Sequence, residues 1–418
     1  MLHDWELEAL DVKTAFLFRV LEEEIYMDQP EGFVIKGKEF KVCHLWKAIY
    51  GLKQAVLQWD KQLHKSLLEM DFTHLLSDPG TYFKIISQNI IILLVYVDNA
   101  LFMDSNKTPV LAHKKQFMKR WESCDLGEAK EYLGMRITKN HKKWTITLDQ
   151  TCYAEKVTKW FGQENCKPVS VPLPTGYNLR SNPNKEANAT LQSWYQSVIG
   201  SLLYIMLGTW PDIAYSIIKM SQFSANPTKE HLQKALYIVH YLSSTMDLCI
   251  CYSGLGDKNG FIIYSDMDWG GDIETSRSTT GYAMFLANGI ISWLSWQQKR
   301  VHISFTEAEY VGMMETARQI RWIWNLYEEI GFILGPLPLC VDNQGAIFLA
   351  SNPAQEGHIK HVQMPEHYIR EAVESGEIQL FYVPTNQQFA DIFMKNLGKT
   401  KFQDGRNALC LQRYSLPS

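Results

Sequence analysis

The sequence predicts a multidomain chain of α+β and α/β character whose last third is a mixed five-stranded sheet with flanking helices. Three observations predict it. Short apolar runs of strand length alternate with helical stretches through the 418 residues. From Gly260 the order becomes three strands, a long helix, a strand, helices, a strand and a helix, and a Pro-, Gly-, Ser- and Asn-rich segment separates the two halves.

Near the start, LEALDVKTAFL reads as a strand running into a turn or helix. Leu57, Leu63, Leu67 and Leu68 form a stripe at helical spacing, and GTYFKII and IIILLVYVDN flank Ser87 to Asn89 as a hairpin. A helix around 109–122 and the strand pair EYLGMRITKN and KKWTITLDQ complete a first unit, expected over residues 1–162. CKPVSVPLPTGYNLRSNPNKEAN supplies a tether over 163–190. Helices are expected at Tyr195–Leu207, Ile213–Phe223 and Lys229–Leu242, making a helical connection over 191–255. The second sheet occupies 256–400, with FIIYSDMD, GYAMFLA, ISWLSWQQ, LPLCVD and IQLFYVP as strands. Its helices are expected at Thr306–Glu329, NQGAIFLA, 360–375 and Gln387–Asn396, and 401–418 is left as a tail.

Composition narrows the function classes. The chain is 46% hydrophobic with a formal charge of -4 and pI near 6.3, so any nucleic-acid contact must be local. Candidate basic patches are Lys114, Lys115, Lys119 and Arg120, and the stretch Lys139 to Lys143. The eight cysteines show neither zinc-ligand spacing nor a disulfide framework, which points to free thiols in a reducing compartment. MLHDWELEAL is no signal peptide, and the apolar run Ile90–Val97 is too short to span a bilayer. The expectation is an intracellular protein of cytoplasm or nucleus, without a membrane partner; no oligomeric interface is legible.

Four carboxylates fall where a mixed sheet converges side chains. Asp266 lies in the first strand of the second sheet, Glu309 in the first turns of the long helix, Asp342 at the end of the fourth strand and Asp391 in the last helix. Gathered together, such like charges need divalent cations, and magnesium favours hard oxygen ligands. The alternative is four of the chain's 45 acidic residues, each separately solvated. Glu307 and Glu309 lie on different helix faces, so one of them at most enters a cleft; Glu309 is favoured by the apolar Tyr310, Met313 and Ala317 on its side.

These segments carry a resemblance. YSDMDWGGD, SRSTTGYAMFL, ISWLSWQQ, FTEAEYVGM, CVDNQGAIFLA and the run from KHVQMPEH to ADIFMKNL together resemble the ribonuclease H region of copia-type retrotransposon polyproteins. DVKTAFLFRVLEEEIYMDQPEGF, YGLKQAVLQW and LLVYVDN resemble the reverse transcriptase of the same elements. The resemblance implies a truncated reverse-transcriptase palm and thumb-like region, its fingers absent, followed by a ribonuclease H-like sheet. It implies that Asp266, Glu309, Asp342 and Asp391 are the catalytic metal ligands, holding two Mg2+ ions with Mn2+ as a substitute. The implied reaction is endonucleolytic hydrolysis of the RNA strand of an RNA–DNA hybrid, with the hybrid or another nucleic acid as partner.

For the polymerase half the resemblance implies Asp11 and Asp98 as catalytic metal ligands. Phe16 is then the aromatic that excludes a 2'-hydroxyl, and Gln54 the nucleotide and template contact. Asn99 stands where the family has a second aspartate, and Val56 where it has proline. A neutral amide weakens the grip on magnesium, so this half is expected to be vestigial. Gln363 and Pro365 replace the acidic and basic residues usual in the helix that opens at KH. Proline is tolerated if that helix starts near Met364 and disruptive if it starts at Lys360. The competing expectations are a catalytically inactive remnant that at most binds nucleic acid, and an active RNA-directed DNA polymerase.

Overall fold

The computed structural model describes residues 4–18, 20–86, 89–176, 179–184, 188–255, 260–302, 304–351 and 368–413. The chain divides into two compact units, one of Trp5–Leu133 and one of Met1–Asp4 with Gly134–Ser418.

In the first unit the strands are β1 (Glu6–Val12), β2 (Val20–Asp28), β3 (Val42–Lys47), β4 (Thr73–His74), β5 (Thr81–Ile86), β6 (Asn89–Tyr96), β7 (Asn99–Asp104), β8 (Ser123–Glu128) and β9 (Glu131–Tyr132). Six of them form an antiparallel sheet in the order β4-β5-β6-β7-β1-β8, while β2 and β3 pair separately. Helices α1 (Lys53–Leu68) and α2 (Lys107–Arg120) belong to the same unit. Ala55, Trp59, Leu63 and Leu67 recur every fourth residue along α1 and join Leu10, Val12, Leu93 and Phe102 of the strands in one core. That spacing is why this segment is helical and why it is buried on one side.

Two of the four basic candidates of this unit serve the fold, while Lys115 and Lys119 are exposed. Lys114 is buried on α2, with Nζ 2.8 Å from Glu8 Oε2 and 2.5 Å from Asp125 Oδ1. Arg120 pairs with Glu69 at 2.6 Å. In the second unit Lys139 pairs with Asp4 at 3.0 Å, its side chain only 5% exposed. A cation so engaged is not presented to phosphate, and a lysine on a helix gives no sign of its facing from composition alone.

The second unit begins with β10 (Met135–Asn140) and β11 (Thr145–Asp149), which the sequence reading grouped with the first sheet. Their hairpin instead extends to β12 (Leu248–Ser253), with Thr147 opposite Cys251, and β12 pairs in turn with β18 (Leu411–Arg413). Between them lie α3 (Thr151–Trp160), α4 (Ala189–Gly208), α5 (Ala214–Ser221) and α6 (Lys229–Ser243). The last is capped at Thr228, whose hydroxyl accepts from His231 N–H while the His231 ring accepts from Thr228 N–H.

Next comes a five-stranded sheet in the order β15-β14-β13-β16-β17, built from β13 (Ile262–Asp268), β14 (Thr279–Leu286), β15 (Gly289–Gln297), β16 (Leu337–Val341) and β17 (Ile378–Tyr382). The first three strands are antiparallel, and β13, β16 and β17 are parallel. Helices α7 (Phe305–Ile330), α8 (Gln344–Ser351) and α9 (Tyr368–Glu374) share a core with one face of it through Ile263, Met284, Tyr310, Met313 and Ala317. The other face, through Ala283, Phe285 and Ile290, belongs to the core of the α3–α6 region. Both faces are covered, as parallel strands require.

Two expectations at the end of the chain need correction. Residues Phe389–Phe393 form a short 3-10 turn instead of the expected helix over Gln387–Asn396. Residues after 400 are not a tail: α10 (Lys399–Ala408) buries Phe402, and Leu411 of β18 is buried too. Apolar side chains in so short a stretch find their burial only across the fold, which local periodicity does not reveal. Gln363 and Pro365 lie outside the described residues, as do Lys360 and Met364. Among the described residues no helix is long and apolar enough to cross a membrane, and all eight cysteines are free.

Candidate active site

The second sheet assembles its acidic site at the carboxyl ends of β13 and β16. Asp266 sits on β13 directly opposite Gly281 of β14, and its Oδ1 accepts from Met267 N–H at 2.8 Å. Asp342 follows β16 immediately and turns the chain toward α8. Glu309 lies in the first turns of α7, which is tied to the sheet by Gln298. That buried amide donates to Thr280 Oγ1 at 2.9 Å and to the carbonyl of Ala308, the neighbour of Glu309, at 3.1 Å. Glu307 turns away, its Oε1 lying 3.3 Å from His302 Nδ1.

Ligand oxygens of Asp266, Glu309 and Asp342 all lie within 4.8 Å of one another. Asp391 lies outside this trio but adjoins Asp266, and its Oδ1 is 2.5 Å from Lys395 Nζ. Asp266 and Glu309 are 3% and 1% exposed. Burial, and then the charges of Glu309, Asp342 and Asp391, hold the Asp266 carboxyl far above the usual carboxylate range. Burial and then Asp342 do the same to Glu309.

The chemistry of this donor set fits divalent cations. Asp266 Oδ2, Glu309 Oε1 and Asp342 Oδ1 are buried and accept no hydrogen bond. Each such orphan costs about 1–3 kcal/mol, and like charges about 4 Å apart repel by about 4 kcal/mol at an effective dielectric of 20. Hard oxygens left bare in one cleft are what Mg2+ or Mn2+ would satisfy. Lys395 answers one carboxylate of the four.

Residues that the sequence reading missed hold this arrangement. Thr385 Oγ1 donates to Asp342 Oδ2 at 2.7 Å, leaving Oδ1 as the free oxygen of that carboxylate. Lys395 stands four residues after Asp391, a spacing legible as a helical pair had the turn been known. Gln298, Thr385 and Gln388 belong to no pattern that sequence alone marks.

In the first unit, Asp11 of β1 lies opposite Asn99 of β7, and Asp98 occupies the tight turn between β6 and β7. Val12 N–H donates to the Asp98 carbonyl at 2.7 Å, and Trp59 Nε1 of α1 donates to the Val97 carbonyl at 2.6 Å, which fixes this turn beside β1. Burial and then Asp98 raise the Asp11 pKa. Both Asp98 oxygens already accept hydrogen bonds, Oδ1 from Asn99 Nδ2 at 3.0 Å and Oδ2 from the Tyr50 hydroxyl at 3.2 Å. Phe16 is buried edge-on against Tyr50, ring centroids 4.6 Å apart, and Gln54 is half-buried in the first turn of α1, where Val56 is exposed. The set offers the two carboxylates of Asp11 and Asp98, with the Asn99 amide hydrogen-bonded to the second of them.

A palm-like antiparallel sheet is followed along the chain by a ribonuclease H-like mixed sheet with an acidic trio, the architecture of a reverse transcriptase region joined to a ribonuclease H-like one. Residues 1–175 match the family described as reverse transcriptase (RNA-dependent DNA polymerase). The Retrovirus-related Pol polyprotein from transposon TNT 1-94 of Nicotiana tabacum is 38% identical over 406 residues, covering 96% of this chain and 30% of the polyprotein. The putative transposon Ty5-1 protein of Saccharomyces cerevisiae is 31% identical over 312 residues, 74% of this chain and 100% of that protein. The chain belongs to the copia-type retrotransposon Pol polyprotein family, and it spans 30% of the length of the tobacco polyprotein. The solved ribonuclease H1 of Halobacterium salinarum NRC-1 matches at 15% identity over 32% of this chain and 92% of that one, with a TM-score of 0.21; the fold assignment rests on strand order and register.

Proposed function

We propose that the second unit is an endonuclease of the ribonuclease H type, hydrolysing the RNA strand of RNA–DNA hybrids with two divalent ions, Mg2+ by preference. The polymerase half makes no DNA. The observation that carries the nuclease reading is the trio Asp266, Glu309 and Asp342, each offering a buried oxygen without a partner into one cleft. A pair of ions bound there supplies an activated water and stabilises the leaving 3'-oxygen. Asp266 and Glu309 would hold the ions, Asp342 would present one oxygen while Thr385 holds the other, and Lys395 holds Asp391. No nucleophilic side chain is required, and recognition through backbone shape and 2'-hydroxyls leaves base sequence unread.

The test is cleavage of an end-labelled RNA–DNA hybrid in Mg2+ or Mn2+ by the full chain, beside Asp266→Asn and Asp342→Asn. Wild type should cleave and both variants should not. Cleavage that survives both substitutions overturns the site; folded wild type that does not cleave favours the alternative of an inactive, at most nucleic-acid-binding remnant. The polymerase proposal is supported by the engaged Asp98 oxygens and by Asn99. Primer extension on an RNA template above a no-enzyme blank would overturn it.

A further inference from the structure

Gln388 uses both ends of its side-chain amide inside the fold, and each end finishes beside a site carboxylate. Its Nε2 donates to the Ser265 carbonyl at 3.0 Å, the residue before Asp266 on β13. Its Oε1 accepts from Ala390 N–H at 3.3 Å, the residue before Asp391. One side chain therefore bridges the strand that bears Asp266 and the turn that bears Asp391.

The turn needs such a bridge. It spans five residues, Phe389–Phe393, and its own backbone bonds are long: Asp391 N–H to the Gln388 carbonyl at 3.4 Å and Met394 N–H to the Asp391 carbonyl at 3.3 Å. A single 3-10 turn has poor hydrogen-bond geometry and little intrinsic hold on its side chains. Gln388 is 4% exposed, so water competes weakly for its amide, and a broken bond would strand a buried polar group at a cost of about 1–3 kcal/mol. A carboxylate could not donate to Ser265, a lysine could not accept from Ala390, and asparagine, which can still accept from Ala390 N–H, is one methylene short of Ser265.

We propose that Gln388 is a positioning residue of the nuclease, setting Asp391 against Asp266 so that the fourth carboxylate joins the trio when substrate and cations are bound. This rests on the nuclease reading above. The side chain touches no reacting atom; it acts through the two residues that precede the ligands.

The test uses the full chain with Gln388→Met, which keeps length and removes both polar ends, and Gln388→Asn, which keeps the amide but cannot span. Both variants should leave KM for the hybrid unchanged and lower kcat by about 10- to 100-fold. Mn2+ binding, titrated without substrate, should weaken by a similar factor, the range typical when partners of metal ligands are removed. Thermal midpoints in EDTA report folding, and Gln388→Asn decides if Gln388→Met does not fold. Wild-type kcat and Mn2+ affinity in the folded variants would overturn Gln388 alone, and so would a lowered thermal midpoint as their only change. A wild type that neither binds Mn2+ nor cleaves would overturn the nuclease reading, and the role of Gln388 with it.

Discussion

Asp266 and Gly281 face each other across β13 and β14, and a Cβ added at Gly281 would lie 2.8 Å from Phe393 Cβ and 2.9 Å from the Ala390 carbonyl oxygen. The missing side chain lets the turn bearing Asp391 rest on the strand beside Asp266. Gly281→Ala must therefore push backbone aside. It should cost about 1–3 kcal/mol by urea unfolding and reduce hybrid cleavage. Gly200 of α4 has open space around its Cβ position, so Gly200→Ala should instead stabilise by about 0.5–1 kcal/mol. Equal effects of the two would refute the close-approach account.

Divalent ions should raise the thermal midpoint of the wild-type chain, because they bind folded carboxylates and not unfolded ones. Asp266→Asn should lose that response. In EDTA the same variant should be more stable than wild type by about 1 kcal/mol or more, since burial and the neighbouring carboxylates oppose ionisation of Asp266 and asparagine has no charge to suppress. A variant that is less stable in EDTA and still responds to Mg2+ would contradict the electrostatics described above.

Asp212 gives a pH signature remote from the nuclease site. It is fully buried, its Oδ2 accepts the Tyr241 hydroxyl at 2.6 Å, and burial pushes its carboxyl from 3.8 up to about 6. Between these values the folded chain holds a proton that the unfolded chain has released. Its stability contribution is therefore greatest below pH 3.8, falls as pH rises, and is lost above about 6. Asp212→Asn should remove this slope, changing the wild-type minus variant difference by about 2 kcal/mol between pH 4 and pH 7. Urea titrations at the two pH values measure it, and parallel pH profiles would refute it.

Lys114 offers a test of its own structural role. Lys114→Met takes from buried Glu8 its partner at 2.8 Å and leaves it the longer pair with Lys107 at 3.6 Å, and should cost about 2–3 kcal/mol. Adding Glu8→Gln should recover a large part of that loss in a double-mutant cycle. If Lys114→Met is neutral in stability but weakens nucleic-acid binding, the lysine faces a ligand and not Glu8.

The legible parts of the fold are those with strong local patterns. The helix carrying Glu309 and the strands around Asp266 are marked by apolar spacing, and the carboxylates stand out by residue type and order. What stayed hidden depends on distant partners. The pairing of Thr147 with Cys251 joins residues about a hundred positions apart, and no local signal names a strand's neighbour. Whether Lys114 is solvated or buried is decided by Glu8, far earlier in the chain. Gln388 and Thr385 look like ordinary loop polar residues, and only their hydrogen bonds to Ser265 and Asp342 set them apart.

The pairing of β18 with β12 has a practical consequence for anyone trimming this chain. Leu411 lies opposite Ile250, and Cys249 opposite Gln412, so the last described strand shields a row of backbone donors and acceptors on an apolar neighbour. A version cut at residue 400, where motif boundaries invite it, would leave β12 a raw edge ready to zip onto another molecule. Poor solubility of such a version would report the cut and say nothing about whether the nuclease works.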